Sequence, residues 1–165
     1  MKTVTGDLID LAKSGGFDVI VHGCNCFHTM GAGIAKRIRL EFPEAYEADR
    51  VTKKGDASKL GSITWTNVQA NRNLIVVNAY TQFHHKFRLE ALDPNLAATM
   101  SANAPLVDYD AVRLAFRAVK KIFTGRRIAY PKIGAGLARG DWSVIERIID
   151  QELVEEDHTL VVLPI

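Results

Sequence analysis

The sequence predicts an α/β fold: a three-layer α/β/α sandwich with a central, mostly parallel mixed sheet. Short apolar runs rich in β-branched residues alternate with segments whose apolar residues recur every three or four positions. Continuous apolar runs are typical of strands covered on both faces, and the recurring spacing is typical of amphipathic helices. Strands that alternate with helices favour right-handed crossovers, which place helices on both faces of the sheet.

Six segments are predicted as strands. Four continuous apolar runs are predicted to be buried: 18–22, 74–78, 127–130 and 159–163. The segments 2–5 and 62–66 are weaker candidates.

Four helices are predicted between the strands, beginning with a short one at 8–13. In the second, Ile34, Ile38 and Phe42 recur at four-residue spacing, and Pro43 ends or bends the helix because proline has no N–H to donate. The last two have these apolar stripes: Val112, Phe116, Val119 and Phe123, then Trp142, Ile145, Ile149 and Leu153. Asp108 and Asp141 precede these stripes and are predicted N-caps.

Length and composition narrow the class of protein. The 165 residues predict a single domain over 1–165, with an insertion at about 83–106 that is more typical of a surface insertion than of a lid. A net charge of +2 without a dense basic stripe argues against a dedicated nucleic-acid surface. Apolar runs fall short of the roughly 20 residues that span a bilayer. Because Cys24 and Cys26 are too close for an ordinary disulfide, a reducing, cytoplasmic location is expected.

Two glycine-rich turns are the leading functional signal. They are Gly31-Ala32-Gly33-Ile34 and, after Ile133, Gly134-Ala135-Gly136-Leu137. Glycine lets a backbone approach a phosphate closely, and the free N–H groups of a helix start favour negative charge. Each turn follows an apolar run, at the strand ends where ligands of such sheets bind. Together they predict a nucleotide-like ligand whose diphosphate lies between them.

Three polar residues near these turns are candidates for chemistry. The Asn25 amide either contacts a ribose hydroxyl or bonds its own backbone in a turn, and the neighbouring glycine turn favours ligand contact. His28 is either a general acid or base or an exposed loop residue. Asp141 is more typical of an N-cap than of a residue that orients water.

A metal site is the weaker interpretation of the first turn. His22, Cys24, Cys26 and His28 alternate, so a continuous strand would point them to one face. Zinc ligands, however, usually come from separate segments with wider spacing. Buried free thiols explain the cysteines better, so no metal is expected.

Three stretches together resemble the macrodomain family. They are Gly6-Asp7-Leu8, His22-Gly23-Cys24-Asn25-Cys26 with Met30-Gly31-Ala32-Gly33-Ile34-Ala35, and Pro131-Lys132-Ile133-Gly134-Ala135-Gly136-Leu137. The resemblance implies a domain that binds ADP-ribose or its derivatives without a cofactor, and it extends the expected partners to ADP-ribosylated macromolecules. It assigns Asp7 and Leu8 to the ligand site, with Asp7 at the adenine amine, and it assigns Asn25 to the distal ribose.

Within the family, the sequence motif around Asn25 most resembles that of the phosphatases that act on ADP-ribose 1″-phosphate. The leading hypothesis is therefore hydrolysis of that monoester to ADP-ribose and phosphate, with Asn25, His28 and Asp141 as candidate catalytic residues. A non-catalytic ADP-ribose reader and a de-ADP-ribosylating glycohydrolase are the alternatives. The glycohydrolase branch uses a lysine and an aspartate where this chain has Gln82 and Ala138, and neither replacement supplies that chemistry.

Overall fold

The computed structural model describes residues 1–84, 95 and 104–165. The strands are β1 Lys2–Thr5, β2 Val19–Cys24, β3 Ile63–Val68, β4 Asn71–Tyr80, β5 Ile128–Tyr130 and β6 His158–Val162. The α-helices are α1 Leu8–Lys13, α2 Gly33–Glu41, α3 Pro43–Arg50, α4 Tyr109–Phe123 and α5 Trp142–Glu152, and a 3₁₀ turn covers Ala57–Lys59.

The strands form one six-stranded mixed sheet in the order β1-β6-β5-β2-β4-β3. Neighbouring strands are parallel except at one edge, where β3 runs antiparallel to β4. The mostly parallel sheet that the sequence predicts is confirmed. Strand β4 is longer than the predicted 74–78 because its start pairs with β3 through polar residues, which give no apolar signal.

Helices cover both faces of the sheet, which confirms the three-layer prediction. Along β2, Val19 and Val21 pack on the side of α4 and α5, whereas Ile20 packs on the side of α1, α2 and α3. The same alternation holds in β5, where Ile128 and Tyr130 face one layer and Ala129 faces the other. Side chains of successive strand residues point to opposite faces, so a strand buried on both sides reads as continuously apolar.

Aspartates begin three of the helices. The Asp108 carboxylate accepts the N–H of Ala111 at 2.9 Å, and Asp141 accepts the N–H of Ser143 at 2.9 Å, so both predicted N-caps are confirmed. The third cap is Asp7, which begins α1. Side-chain acceptors satisfy N–H groups that a helix start leaves without a backbone partner.

Pro43 separates two helices. Helix α2 ends at Glu41, and Pro43 is the first residue of α3, where a missing N–H has no effect on the helix. Helix α3 is not among the helices predicted from the sequence, because its buried face is formed by only Ala45 and Asp49.

Most of the predicted insertion at 83–106 lies outside the described residues. Its two ends are adjacent, since Gln82 pairs with Val107 in an isolated antiparallel bridge. Across the residues that are described, the helices are too short or too polar to cross a membrane.

Candidate functional site

A cavity of about 420 Å³ lies at the carboxyl ends of β2, β4 and β5. Its lining comes from the end of β2, from the segments that follow these three strands, and from helices α2 and α3. The lining residues are Gly23, Cys24, Asn25, Thr29, Met30, Ala32, Gly33, Ile34, Ala35, Asp49, Gln82, Leu106, Pro131, Lys132, Ile133, Gly134, Gly136, Leu137 and Ala138.

Both glycine turns contribute to this one cavity. The first turn contributes Ala32, Gly33 and Ile34, and the second contributes Gly134 and Gly136 together with the flanking Ile133 and Leu137. Gly31 and Ala135 belong to the same turns but do not line the cavity.

Backbone geometry explains the glycines at two of these positions. Gly33 and Gly134 have φ values of +54° and +72°, which glycine adopts far more readily than other residues. A Cβ on Gly134 would also lie 2.7 Å from Cγ2 of Val107. At the start of α2, the N-cap Ala32 has no side-chain hydrogen bond to the helix. The first turn of α2 therefore presents backbone N–H groups beside the cavity, an arrangement that favours an anion.

The side chain of Asn25 stabilises its own turn. Its Oδ1 accepts the N–H of Phe27 at 2.8 Å, and its Nδ2 donates to Oγ1 of Thr29 at 2.5 Å. The side chain thus stabilises its own turn, and it also lines the cavity. These bonds fix the orientation of the amide before a ligand enters.

His28 and Asp141 lie outside the cavity lining. The Nε2 of His28 is 3.0 Å from Oγ1 of Thr52, and partial burial lowers its pKa. The Oδ1 of Asp141 accepts from both N and Oγ of Ser143, and the hydrogen bond from the Ser143 hydroxyl is the main cause of its lowered pKa.

Asp7 and Leu8 also stand apart from the lining. Leu8 is buried in the core layer beneath α1. The Oδ1 of Asp7 accepts the N–H groups of Ile9 and Asp10, while its Oδ2 pairs with Arg37 on α2. The Arg37 hydrogen bond is the main reason that the pKa of Asp7 is lowered.

The structure adds one carboxylate that sequence reasoning missed. Asp49, in the last turn of α3, is 1% exposed and lines the cavity. Its Oδ1 accepts the hydroxyl of Tyr80 at 2.7 Å, and burial raises the pKa of that tyrosine. In the sequence Asp49 looks like an ordinary surface acid. The four-residue spacing from Ala45, on the same buried face, is the signal that was available.

The two cysteines are free and buried, as the preferred interpretation predicts. Burial raises the pKa of Cys24, which lines the cavity, and raises that of Cys26 to about 11. Neutral thiols are weak nucleophiles and weak metal ligands. Over the ranges that the structure describes, no group of three or more His, Cys, Asp or Glu side chains is arranged to hold a metal ion.

Gln82 and Ala138 both line the cavity. The Nε2 of Gln82 donates to the carbonyl of His84 at 2.9 Å, and Ala138 accepts backbone hydrogen bonds from Leu106 and Val107. These are the positions at which the sequence alignment with the glycohydrolase branch has a lysine and an aspartate.

Comparison with known proteins identifies the fold. Over 99% of this chain and 97% of the other, the structure superposes on a protein of unknown function from Bacteroides thetaiotaomicron with 26% identity and a TM-score of 0.72. It resembles the macrodomain of Thermus aquaticus DarG with 19% identity and a TM-score of 0.66, over 99% and 97% of the two chains. It also resembles Thermosipho africanus DarTG in complex with ADP-ribose, with 17% identity and a TM-score of 0.68, over 99% of this chain and 41% of that one. The chain therefore has the macrodomain fold.

A sequence relative assigns the chain to a family within that fold. The relative is an uncharacterized 17.5 kDa protein from the tk–vs intergenic region of Enterobacteria phage T4. It is 35% identical over 152 residues, which are 91% of this chain and 88% of the relative. The chain belongs to the family of this phage T4 protein. No protein-family model matches it.

Proposed function

We propose that this protein binds ADP-ribose, with the diphosphate between the two glycine turns. The convergence of both turns on one cavity carries the proposal. The ADP-ribose complex of the structurally similar DarTG supports it. A volume of about 420 Å³ is in the range of small-molecule sites, roughly 300–1,000 Å³.

The chemistry of the lining suits a diphosphate held mainly by backbone groups. The start of α2 supplies N–H donors on one side, and the second turn brings a backbone without side chains at Gly134 and Gly136 on the other. Lys132, two residues before the second turn, adds a positive charge to the lining. Such donors compensate the charge of a phosphate that leaves water.

Binding without turnover is the role that the geometry supports best. Hydrolysis of ADP-ribose 1″-phosphate, the activity suggested by the phosphatase resemblance, requires a group that handles a proton at the reacting phosphate. His28 and Asp141 do not line the cavity, so that activity is the second candidate. Gln82 and Ala138 give the glycohydrolase alternative no lysine or aspartate.

Calorimetry with the wild-type protein tests the proposal. We expect ADP-ribose to bind, and AMP, which lacks the second phosphate and the distal ribose, to bind at least tenfold more weakly. Phosphate release from ADP-ribose 1″-phosphate is measured in parallel and decides between the reader and the phosphatase. Equal affinity for AMP and ADP-ribose would refute the placement of the diphosphate.

A second prediction concerns the adenine. We propose that Asp7, which does not itself line the cavity, accepts a hydrogen bond from the adenine amine through a free lone pair of Oδ2. Asp7→Asn retains an oxygen to cap α1 and should weaken ADP-ribose binding by about 1–3 kcal/mol, the range for a charged hydrogen bond that is lost.

Two comparisons make the Asp7 experiment specific. Asp10→Asn removes a neighbouring carboxylate in the same helix turn and should leave binding unchanged. The inosine analogue of ADP-ribose, which has no amine to donate, should lose less affinity than ADP-ribose does in the Asp7 variant. Equal losses for the two ligands would count against the contact.

A further inference from the structure

The side chain of Asp49 is a buried acidic group in a cavity that we propose for an anionic ligand. Its side chain is almost fully shielded from solvent, yet it lines the cavity. Among the described lining residues, Asp49 is the carboxylate and Lys132 is the amine. A buried acidic group at this position restricts which chemical group of a ligand can lie beside it.

Strand pairing places Asp49 at the Asn25 side of the cavity. The hydroxyl of Tyr80 holds the Asp49 carboxylate, and Tyr80 on β4 is the register partner of Cys24 on β2, the residue before Asn25. Strand β5, which leads to Lys132, pairs with the opposite side of β2. Neighbouring strands lie about 5 Å apart, so β4, which carries the partner of Asp49, and β5, which leads to Lys132, are separated by roughly two strand spacings.

The surroundings hold the Asp49 carboxylate in a defined position. Tyr80 is fully buried, and its hydroxyl is also 3.2 Å from Oγ1 of Thr64. The Nζ of Lys59 lies 4.8 Å from the centroid of the Tyr80 ring and donates to Oγ1 of Thr52. A carboxylate fixed in this way accepts hydrogen bonds from ligand hydroxyls and repels an anionic group.

We propose that Asp49 is a specificity-determining residue that selects a ligand with an uncharged sugar at this end. ADP-ribose meets this requirement because its distal ribose presents hydroxyl donors to Asn25 and Asp49. ADP-ribose 1″-phosphate is disfavoured because its additional phosphate lies against a buried carboxylate. The proposal rests on ADP-ribose binding in this cavity. It predicts that the site prefers a ligand whose distal ribose is unphosphorylated over the 1″-phosphate monoester.

Competitive calorimetry with the two ligands tests this selection. The wild-type protein should bind ADP-ribose at least tenfold more tightly than ADP-ribose 1″-phosphate, because like charges in a shielded site repel strongly. Asp49→Asn keeps the shape and an acceptor for the Tyr80 hydroxyl but removes the charge. We expect it to weaken ADP-ribose binding and strengthen monoester binding, so that the preference falls by roughly tenfold.

Two further variants serve as controls. Asp56→Asn makes the same substitution at a partly buried cap outside the cavity and should leave the preference unchanged. Tyr80→Phe removes the hydroxyl that holds the carboxylate and should reduce the preference less than Asp49→Asn. It also provides an independent result if the Asp49 variant does not fold.

The outcomes distinguish the selection from the binding proposal. If ADP-ribose binds and the preference is the same in the wild type and Asp49→Asn, the selection by Asp49 is wrong while the binding proposal stands. Release of phosphate from the monoester by the wild type would likewise overturn the selection. If the wild type binds neither ligand, the binding proposal fails and the selection fails with it.

Discussion

Gly136→Glu should weaken ADP-ribose binding by at least about 100-fold and leave the fold intact. Gly136 is exposed in the second glycine turn and lines the cavity. A Cβ at this position would meet no heavy atom within 4 Å, and its φ lies outside the left-handed region. The new side chain is therefore tolerated, but its carboxylate occupies the space that we assign to the diphosphate. Electrostatic repulsion and steric exclusion both oppose binding.

Gly136 is a better position for this test than Gly33. The backbone at Gly33 has a φ of +54°, so any side chain there introduces strain and a loss of binding would be ambiguous. Gly136→Gln matches the size of the glutamate without its charge and should retain more affinity. Leu40→Glu adds the same charge on the exposed face of α2 and should bind as the wild type does.

Calorimetry measures the affinity of Gly136→Glu for ADP-ribose, and thermal unfolding measures whether the variant keeps its stability. Wild-type affinity in Gly136→Glu would mean that the phosphates do not lie against the second turn. A large loss of stability in that variant would mean that the effect is structural.

Most of the fold is predictable because burial on both faces leaves a strong pattern. The apolar runs that became β2 and β5 have no polar face, and the stripes of α4 and α5 have the helical period. The parts that the sequence analysis missed have weak patterns. Helix α3 buries only Ala45 and Asp49, and the start of β4 is polar because it pairs at the sheet edge.

The site was predictable where backbone geometry determines it, and less so where side chains do. Glycine turns at parallel strand ends converge by topology, so the sequence order alone indicates a shared crevice. The orientations of the side chains were not predictable in this way: His28 contacts Thr52, and Asp141 caps α5. No sequence pattern reports which partner a loop side chain contacts, and the spacing between Ala45 and Asp49 is only a weak signal that an aspartate in a polar helix is buried.

The pH dependence of stability should reveal the buried histidine in the strand that leads to the site. His22 on β2 is fully buried, and burial lowers its pKa to about 4. Its Nε2 is 2.7 Å from Oδ1 of Asn78, whose Nδ2 donates to the carbonyl of Ala45 and to Oγ1 of Thr64. Because the orientation of Asn78 is fixed by these bonds, the Nε2 of His22 is the donor in this pair. Burial is what keeps the ring neutral, since it outweighs the hydrogen bond to Asn78, which favours the protonated form.

The free energy of unfolding should therefore fall as the solution is acidified. Between pH 6.5 and about 4 the unfolded chain binds a proton at His22 that the folded protein does not, so stability decreases as pH falls through this window. At about 1.4 kcal/mol per pKa unit, the loss from His22 is about 2 kcal/mol between pH 6.5 and 5, and about 3 kcal/mol by pH 4. The upper part of this window precedes most carboxylate titration, which adds its own loss below about pH 5.

Urea unfolding at several pH values, in the wild type and in His22→Gln, isolates this contribution. The glutamine amide donates to Asn78 from nearly the position of Nε2 but does not titrate, so the stability of the variant should change much less between pH 6.5 and 5. His158→Gln is the matched comparison, because His158 is also buried with a lowered pKa but lies on β6, where its Nδ1 is 2.6 Å from the Tyr130 hydroxyl. If the wild type and His22→Gln lose the same stability over this range, His22 is not the group that couples acidification to unfolding. A flattened profile in His22→Gln would show that the β2 strand beneath Asn25 is stabilised by a neutral histidine.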